Sequence, residues 1–181
     1  MNFAKALNLV MNGNMVAREG WNKPGMAITH VKAHSNIGQH IRLLLDGPAN
    51  PYRHAIYLPA QTDMLADDWH LVGEMEGDSS IIPGSFSDAI QNLLAGVMVH
   101  RTGWHGSGQF LYMVPGSTFG HDVARPPLNN IFPLGTTFQY RPHIDMRLVS
   151  SEDGKVHLVP WMCSIADLMA QDWQASGLLA Q

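Results

Sequence analysis

One cysteine, Cys163, stands alone in 181 residues. That excludes an internal disulfide and fits a reducing compartment. Charge is scarce too: 14% of residues are Asp, Glu, Lys or Arg, against a typical quarter. The 11 Lys and Arg are scattered and the net charge is −4, so the clustered basic surface that duplex nucleic acid requires is missing. No apolar run approaches the ~18 residues of a membrane span. The opening Met-Asn-Phe-Ala-Lys-Ala-Leu has neither the basic head nor the long apolar stretch of a signal peptide. A cytoplasmic protein with no membrane partner is expected. No Gly-x-Gly-x-x-Gly or Walker pattern occurs, and neither His-Glu-x-x-His nor Cys-x-x-Cys is present. The ten histidines lack ligand spacing, so no metal, no cofactor and no catalytic residue is assigned.

What the chain does have is a repeat. Setting Phe3 against Phe86 aligns residues 3–31 with 86–114 at a constant offset of 83. Ten of the 29 positions are identical: Phe3, Ala6, Gly13, Met15, Val16, Arg18, Gly20, Trp21, Gly25 and Val31. Chance gives about two. A second block aligns Tyr57–Trp69 with Trp161–Trp173 at an offset of 104, with Asp63, Ala66, Asp68 and Trp69 matched by Asp167, Ala170, Asp172 and Trp173. The second copy therefore carries 21 extra residues in its middle. The stretch from Gly73 to Gly84, rich in Gly, Ser and acidic residues, reads as a linker. The expected organisation is a first copy over 1–73, a linker over 74–84 and a second copy over 85–181.

Each copy opens with an amphipathic pattern, Phe3, Ala6, Leu7 and Val10 or Phe86, Ala89, Ile90 and Leu93. Ser85 with Asp88 predicts a capped start, and Gly13 or Gly96 a stop. Strands are predicted over Met15–Arg18, Met26–Val31, Ile41–Leu45 and Ala55–Leu58. In the second copy they fall over Met98–Arg101, Gln109–Val114, Ile144–Val149 and Val156–Val159, the last two joined by a turn at Ser151–Gly154. A short helix, Asp63–Asp68 or Ala166–Asp172, is expected to end on the Trp of each copy. The fold class is α+β, two tandem antiparallel units with an initial helix and a short later one.

Chemistry gathers at the Gly-Trp turns, residues 20–25 and 103–108. In each, a Trp follows an Arg by three residues and precedes Asn22 or His105. A loop Trp can stack on a base, Arg can meet a phosphate, and Asn can bond a base edge or ribose. The alternative is that Trp21 and Trp104 fold back over the sheet, with Arg18 and Arg101 as ordinary surface residues. Trp69 and Trp173 are expected in the core. Cys163, in an apolar context, is expected as a buried thiol.

The strings Val114-Pro-Gly-Ser-Thr-Phe119, Arg125-Pro-Pro-Leu128, Tyr140-Arg-Pro-His-Ile-Asp-Met146 and Val159-Pro-Trp161 resemble the Thoeris anti-defence two-like domain family. Val16-Ala-Arg-Glu-Gly-Trp-Asn22 and Gln61-Thr-Asp-Met-Leu-Ala-Asp-Asp-Trp69 are similar to that family's opening and closing motifs. The resemblance implies a non-enzymatic sponge that binds cyclic nucleotide immune signals without cleaving them. Glycocyclic ADP-ribose of Thoeris is the implied ligand, with CBASS cyclic oligonucleotides as a second class. Family pockets lie between subunits, so a homo-oligomer, a dimer of tandem chains, is implied in the host cytoplasm if phage-encoded. The motif positions and their chemistry suggest ligand contacts at Arg18, Trp21, Asn22, Thr62, Asp63, Arg101, Trp104, His105, Arg125 and Tyr140. The sequence departs from the family at His105, where Asn is usual, and at Ser164-Ile-Ala-Asp167. Rival readings are a phosphodiesterase using His105 or His143, and a protein-interaction module.

Overall fold

The computed structural model describes all residues except 35, 36, 49, 51, 52, 75, 76, 78, 79, 107 and 179–181, and the side chain of residue 178. Residues 75, 76, 78 and 79 of the predicted linker and residue 107 of the second Gly-Trp turn thus lie outside the described residues.

The first unit runs α1 (Phe3–Met11), β1 (Met15–Arg18), β2 (Ala27–Val31), β3 (His40–Leu44), β4 (His54–Ile56), α2 (Gln61–Met64) and β5 (Trp69–Val72). The second runs α3 (Phe86–Leu94), β6 (Val97–Arg101), β7 (Phe110–Val114), β8 (Ser117–Gly120), a 3-10 turn at His121–Val123, α4 (Leu128–Ile131), β9 (Thr137–Tyr140), β10 (His143–Val149), β11 (Val156–Pro160), α5 (Ile165–Leu168) and β12 (Trp173–Leu178). The two five-stranded antiparallel sheets have orders β4-β3-β2-β1-β5 and β11-β10-β7-β6-β12, which match strand for strand. Registers match as well. Val16 faces Ile28 as Val99 faces Leu111, and Arg18 faces Trp69 as Arg101 faces Trp173. The duplication seen in the residues is a duplication of topology.

Two predicted short helices are corrected. Helix α2 stops at Met64 and α5 at Leu168, and Trp69 and Trp173 open edge strands rather than ending helices. Tertiary pairing decides the matter: β5 and β12 hydrogen-bond to β1 and β6 and become edge strands. Strands β8 and β9, which form a two-stranded sheet, were also not predicted.

Local chemistry explains both initial helices. Asn2 and Ser85 accept the backbone N–H of the third helical residue, Lys5 and Asp88 respectively. Gly13 and Gly96 follow the last turns at φ 96° and 81°, a left-handed conformation in which a Cβ is costly. Helix α1 buries Ala4, Asn8 and Leu9 besides the predicted stripe. The added burial arises because α1 packs on α3 as well as on its own sheet. Phe3, Leu7, Phe86, Ile90, Trp69 and Trp173 belong to one continuous core shared by both copies.

Gln61, at the start of α2, joins the copies by hydrogen bonds. Its Nε2 donates to the carbonyls of Ile144 (2.8 Å) and Trp161 (2.7 Å), and its Oε1 accepts from Ile144 N–H (2.7 Å). An amide presents both a donor and an acceptor, and here both are used on the backbone of the other copy.

Candidate functional site

The Gly-Trp turn of the first copy is fixed by its own carboxylates. Arg18 leaves the end of β1 and donates from Nε to Asp68 Oδ1 (2.7 Å) and from Nη1 to Asp63 Oδ1 (2.8 Å). Gly20 N–H donates to Asp68 Oδ2 (2.7 Å). A Cβ on Gly20 would sit 2.8 Å from that oxygen, so a larger residue would push the carboxylate away. The Trp21 indole N–H donates to Asp63 Oδ1 (3.3 Å), and its ring meets Trp69 edge-on with centroids 5.3 Å apart. Burial works against the Arg18 charge, but the bonds from Asp68 and Asp63 outweigh it and raise the pKa. Burial likewise acts to raise the Asp68 pKa; Arg18 and Gly20 N–H outweigh it and hold that carboxyl below its usual range.

The second copy repeats the arrangement. Arg101 donates to Asp172 (2.8 Å) and Asp167 (2.9 Å), Gly103 N–H to Asp172 (2.8 Å), and the Trp104 indole to Asp167 (3.4 Å). Trp104 lies edge-on to Trp173 at 5.4 Å. Two donors differ between copies: Asp172 Oδ2 also accepts the Thr102 hydroxyl (3.2 Å), where the first copy has Glu19, and the hydroxyl donor to the other carboxylate is exchanged. Asp63 Oδ2 accepts the Tyr57 hydroxyl (3.1 Å), whereas Asp167 Oδ2 accepts the Ser164 hydroxyl (2.7 Å). At the aligned positions the second copy has Trp161 for Tyr57, and the first has Ala60 for Ser164. Burial and the adjacent Asp63 carboxylate push the Tyr57 phenol pKa up, keeping it a donor. The repeat already marked Asp68 and Asp172 as matched. Their role in clamping the turn was missed because the partner glycine N–H is invisible in sequence.

The structure therefore sorts the predicted residues into groups. Arg18, Trp21 and Asp63 belong to one clamp, and Arg101 and Trp104 to its twin. Both arginines have both carboxylate partners within the protein, and both Trp rings are half-buried against the core. Asn22, His105 and Thr62 are exposed. Arg101 and Trp104 also line an open cavity of about 490 Å³ with His100, Gln109 and Phe110. Arg125 and Tyr140 line a different cavity of about 360 Å³ in residues 115–142. A third cavity of about 340 Å³ lies between the copies, among Leu58, Gln61, Met64, Trp161 and Cys163. Cys163 is buried, and that burial raises its thiol pKa. Among the described residues no group of three or more His, Cys, Asp and Glu could hold a metal, and no helix is long and apolar enough to cross a membrane.

Fold and site together define a duplicated antiparallel α+β protein in which each copy pins a Trp-bearing turn with an Arg and two Asp. The family model of the Thoeris anti-defense 2-like domain matches residues 1–72 and again 84–176, and the chain belongs to that family. It is similar to Thoeris anti-defense 2 of Bacillus phage SP01, 28% identical over 97 residues that cover 49% of this chain and 90% of that protein.

Proposed function

We propose that the chain is an anti-defence sponge, which binds a cyclic nucleotide immune signal and withholds it without cleaving it. The ligand class is glycocyclic ADP-ribose of Thoeris, with CBASS cyclic oligonucleotides as the second class. The observation that carries the reading is the cavity at the second Gly-Trp turn. There a fixed indole, Trp104, and the Arg101 guanidinium share a cleft with Gln109 and His100. A ring held by its own N–H presents a face for a base at little entropic cost. Arg101 has two carboxylates already, so its part is to hold the turn rather than to pair with a phosphate. Family membership supports the anti-defence role.

The working assembly in this reading is a dimer of tandem chains, four units in all, with pockets completed across subunits. The α1–α3 packing already joins two units within one polypeptide.

Calorimetry with glycocyclic ADP-ribose isomers and cyclic di- and trinucleotides tests the proposal, followed by chromatography of the ligand released by heat. Intact ligand is expected, with a rise in melting temperature on binding. Cleaved product would favour a phosphodiesterase, and no binding or thermal shift across the panel would favour a protein-interaction module.

A further inference from the structure

Helices α1 and α3 pack on each other and against their own sheets. Ile41 on β3 and Ile144 on β10, 1% and 0% exposed, point into that shared core. Side chains alternate along a strand, so the next residues, Arg42 and Asp145, stand on the outer faces of the two sheets. The positions are equivalent: Arg42 pairs with Thr29 of β2, and Asp145 with Tyr112, which lies at the same point of β7. At one place in the frame the first copy has a cation and the second an anion.

Neither charge is fully satisfied within its own chain. Arg42 Nε is buried without a hydrogen-bond partner, and its guanidinium makes no ion pair among the described residues. Asp145 Oδ1 is buried without a hydrogen bond as well, on a side chain 15% exposed. The Tyr112 hydroxyl donates to the same carboxylate, and His143 Nε2 stands 3.6 Å from Oδ1, beyond hydrogen-bond distance. Arg147, on the same face of β10, is engaged elsewhere: its Nη1 donates to the Gly108 carbonyl (2.6 Å) and its guanidinium lies over the Phe110 ring. Buried polar atoms without partners are destabilising, most of all on charged groups. The rims of both faces are apolar and open. Ile56, paired with Arg42, is 58% exposed, and Leu158 and Val156 on the Asp145 face are 59% and 52% exposed.

We infer that these outer faces are the contact between tandem chains: the first copy of one chain stacks on the second copy of its neighbour, and Arg42 of one bonds Asp145 of the other. The inference rests on the oligomer reading above and adds which faces meet. Charge selects the pairing. First copy on first copy would bring two arginines together, and second on second two aspartates, both repulsive where water is excluded. Stacked sheets lie ~10 Å apart, a spacing that suits a long arginine opposite a short aspartate. Identical units carry one charge at this position, and only a diverged duplication supplies both signs. The contact is head-to-tail, so an assembly closes by making it once per chain.

Light scattering and sedimentation of the full chain at micromolar concentration test it. Wild type is expected as an assembly of two chains. Arg42→Glu and Asp145→Arg each put like charges into the contact and should weaken assembly by about 100-fold or more. Arg42→Gln and Asp145→Asn keep the side-chain shape and should weaken it by about tenfold or more, so the comparison survives if a reversal fails to fold. The double variant R42E/D145R exchanges the charges and should assemble as wild type. An equimolar mixture of the two single reversals should assemble too, because each supplies the charge the other lacks. No ligand enters the measurement, so the outcome does not depend on the sponge reading. A wild type that stays monomeric would overturn the inference together with the oligomer reading, and would leave the faces to a different protein partner. Single reversals that assemble as wild type would overturn the assignment of faces alone, as would a folded double variant that stays monomeric.

Discussion

The two copies share a frame and differ in what is hung upon it. Strand order, register, helix caps and the Arg–Asp–Trp clamp are common to both. The second alone has the insert over residues 115–142 with its cavity, and the first alone supplies the Gln61 amide that reaches across the seam. At the position aligned with Gln61 the second copy has Ile165, which is 37% exposed. The joint is therefore one-sided. A homodimer of identical units must use each contact twice, whereas a tandem chain can let one copy specialise in cohesion and the other in a pocket.

The largest effects should come from the shared frame. Trp69→Ala and Trp173→Ala each empty a fully buried site that touches the initial helix, Phe3 at 5.4 Å or Phe86 at 5.5 Å. Each should cost about 3–5 kcal/mol of stability, read by denaturant melts. If the copies share one core, both variants should lower a single cooperative transition. Two transitions, with only one displaced by each variant, would show that the copies fold apart.

Next in size is the seam. Gln61→Ala removes the Gln61 partner of Ile144 N–H and of the Trp161 carbonyl, while the Ile144 carbonyl still accepts Trp161 N–H (3.0 Å). The expected loss is about 1–3 kcal/mol, and differential scanning calorimetry should show the transition broaden as the copies uncouple. Replacing Ile165 with Ala in the second copy should cost far less, because that side chain is partly exposed and anchors no backbone. Equal losses would mean the joint is symmetric after all.

Smaller again is the exchanged donor. Tyr57→Phe removes the hydroxyl from Asp63, and Ser164→Ala removes the one from Asp167, which still accepts the backbone N–H of residue 164 (3.2 Å). Tyr57→Phe should cost about 1 kcal/mol. Ser164→Ala should cost about 1–2 kcal/mol, since that serine also caps α5. Chemical denaturation of the two single variants and the double variant measures their coupling across the shared core, where Tyr57 and Cys163 both lie.

Much of the frame was legible because it rests on local rules. The helical stripe, the stop glycines and the alternating strands all carry their signal in nearby residues, and ten identities at one offset made the duplication plain. Edge strands β5 and β12 were not legible. Trp69-His-Leu-Val72 is short and follows a helical turn, and only its pairing with β1 makes it a strand. The site was read in part. Trp and Arg were singled out by residue type, but sequence gives no hint that Asp68 lies across the sheet from Gly20 and closes the turn. Nor does it show that Arg18 is held by two carboxylates while Arg125 pairs with none among the described residues; that distinction depends on side chains distant in the chain.

The smallest expected effect is acid sensitivity, and it should be equal in the two copies. Asp68 and Asp172 have folded pKa values held below the ordinary carboxylate range, against the opposing effect of burial, by Arg18 and Gly20 N–H or by Arg101 and Gly103 N–H. The unfolded chain titrates near the ordinary value, about 3.9. As pH falls it takes up protons first, and the native state loses ground. The stabilisation is fully present above that value and disappears as pH falls through the folded pKa. Melting temperature should therefore be insensitive to these groups above about pH 5 and fall below about pH 4. The side chains are 27% and 30% exposed, so solvent screening keeps the contribution modest. Asp68→Asn and Asp172→Asn remove the charge while retaining an acceptor for the glycine N–H. Each should flatten the acid limb by a similar amount, and the double variant by about twice as much. A variant in one copy that flattens it much more than its twin would show that the clamps are not equivalent. An unchanged acid limb in both would assign the acid loss to other carboxylates.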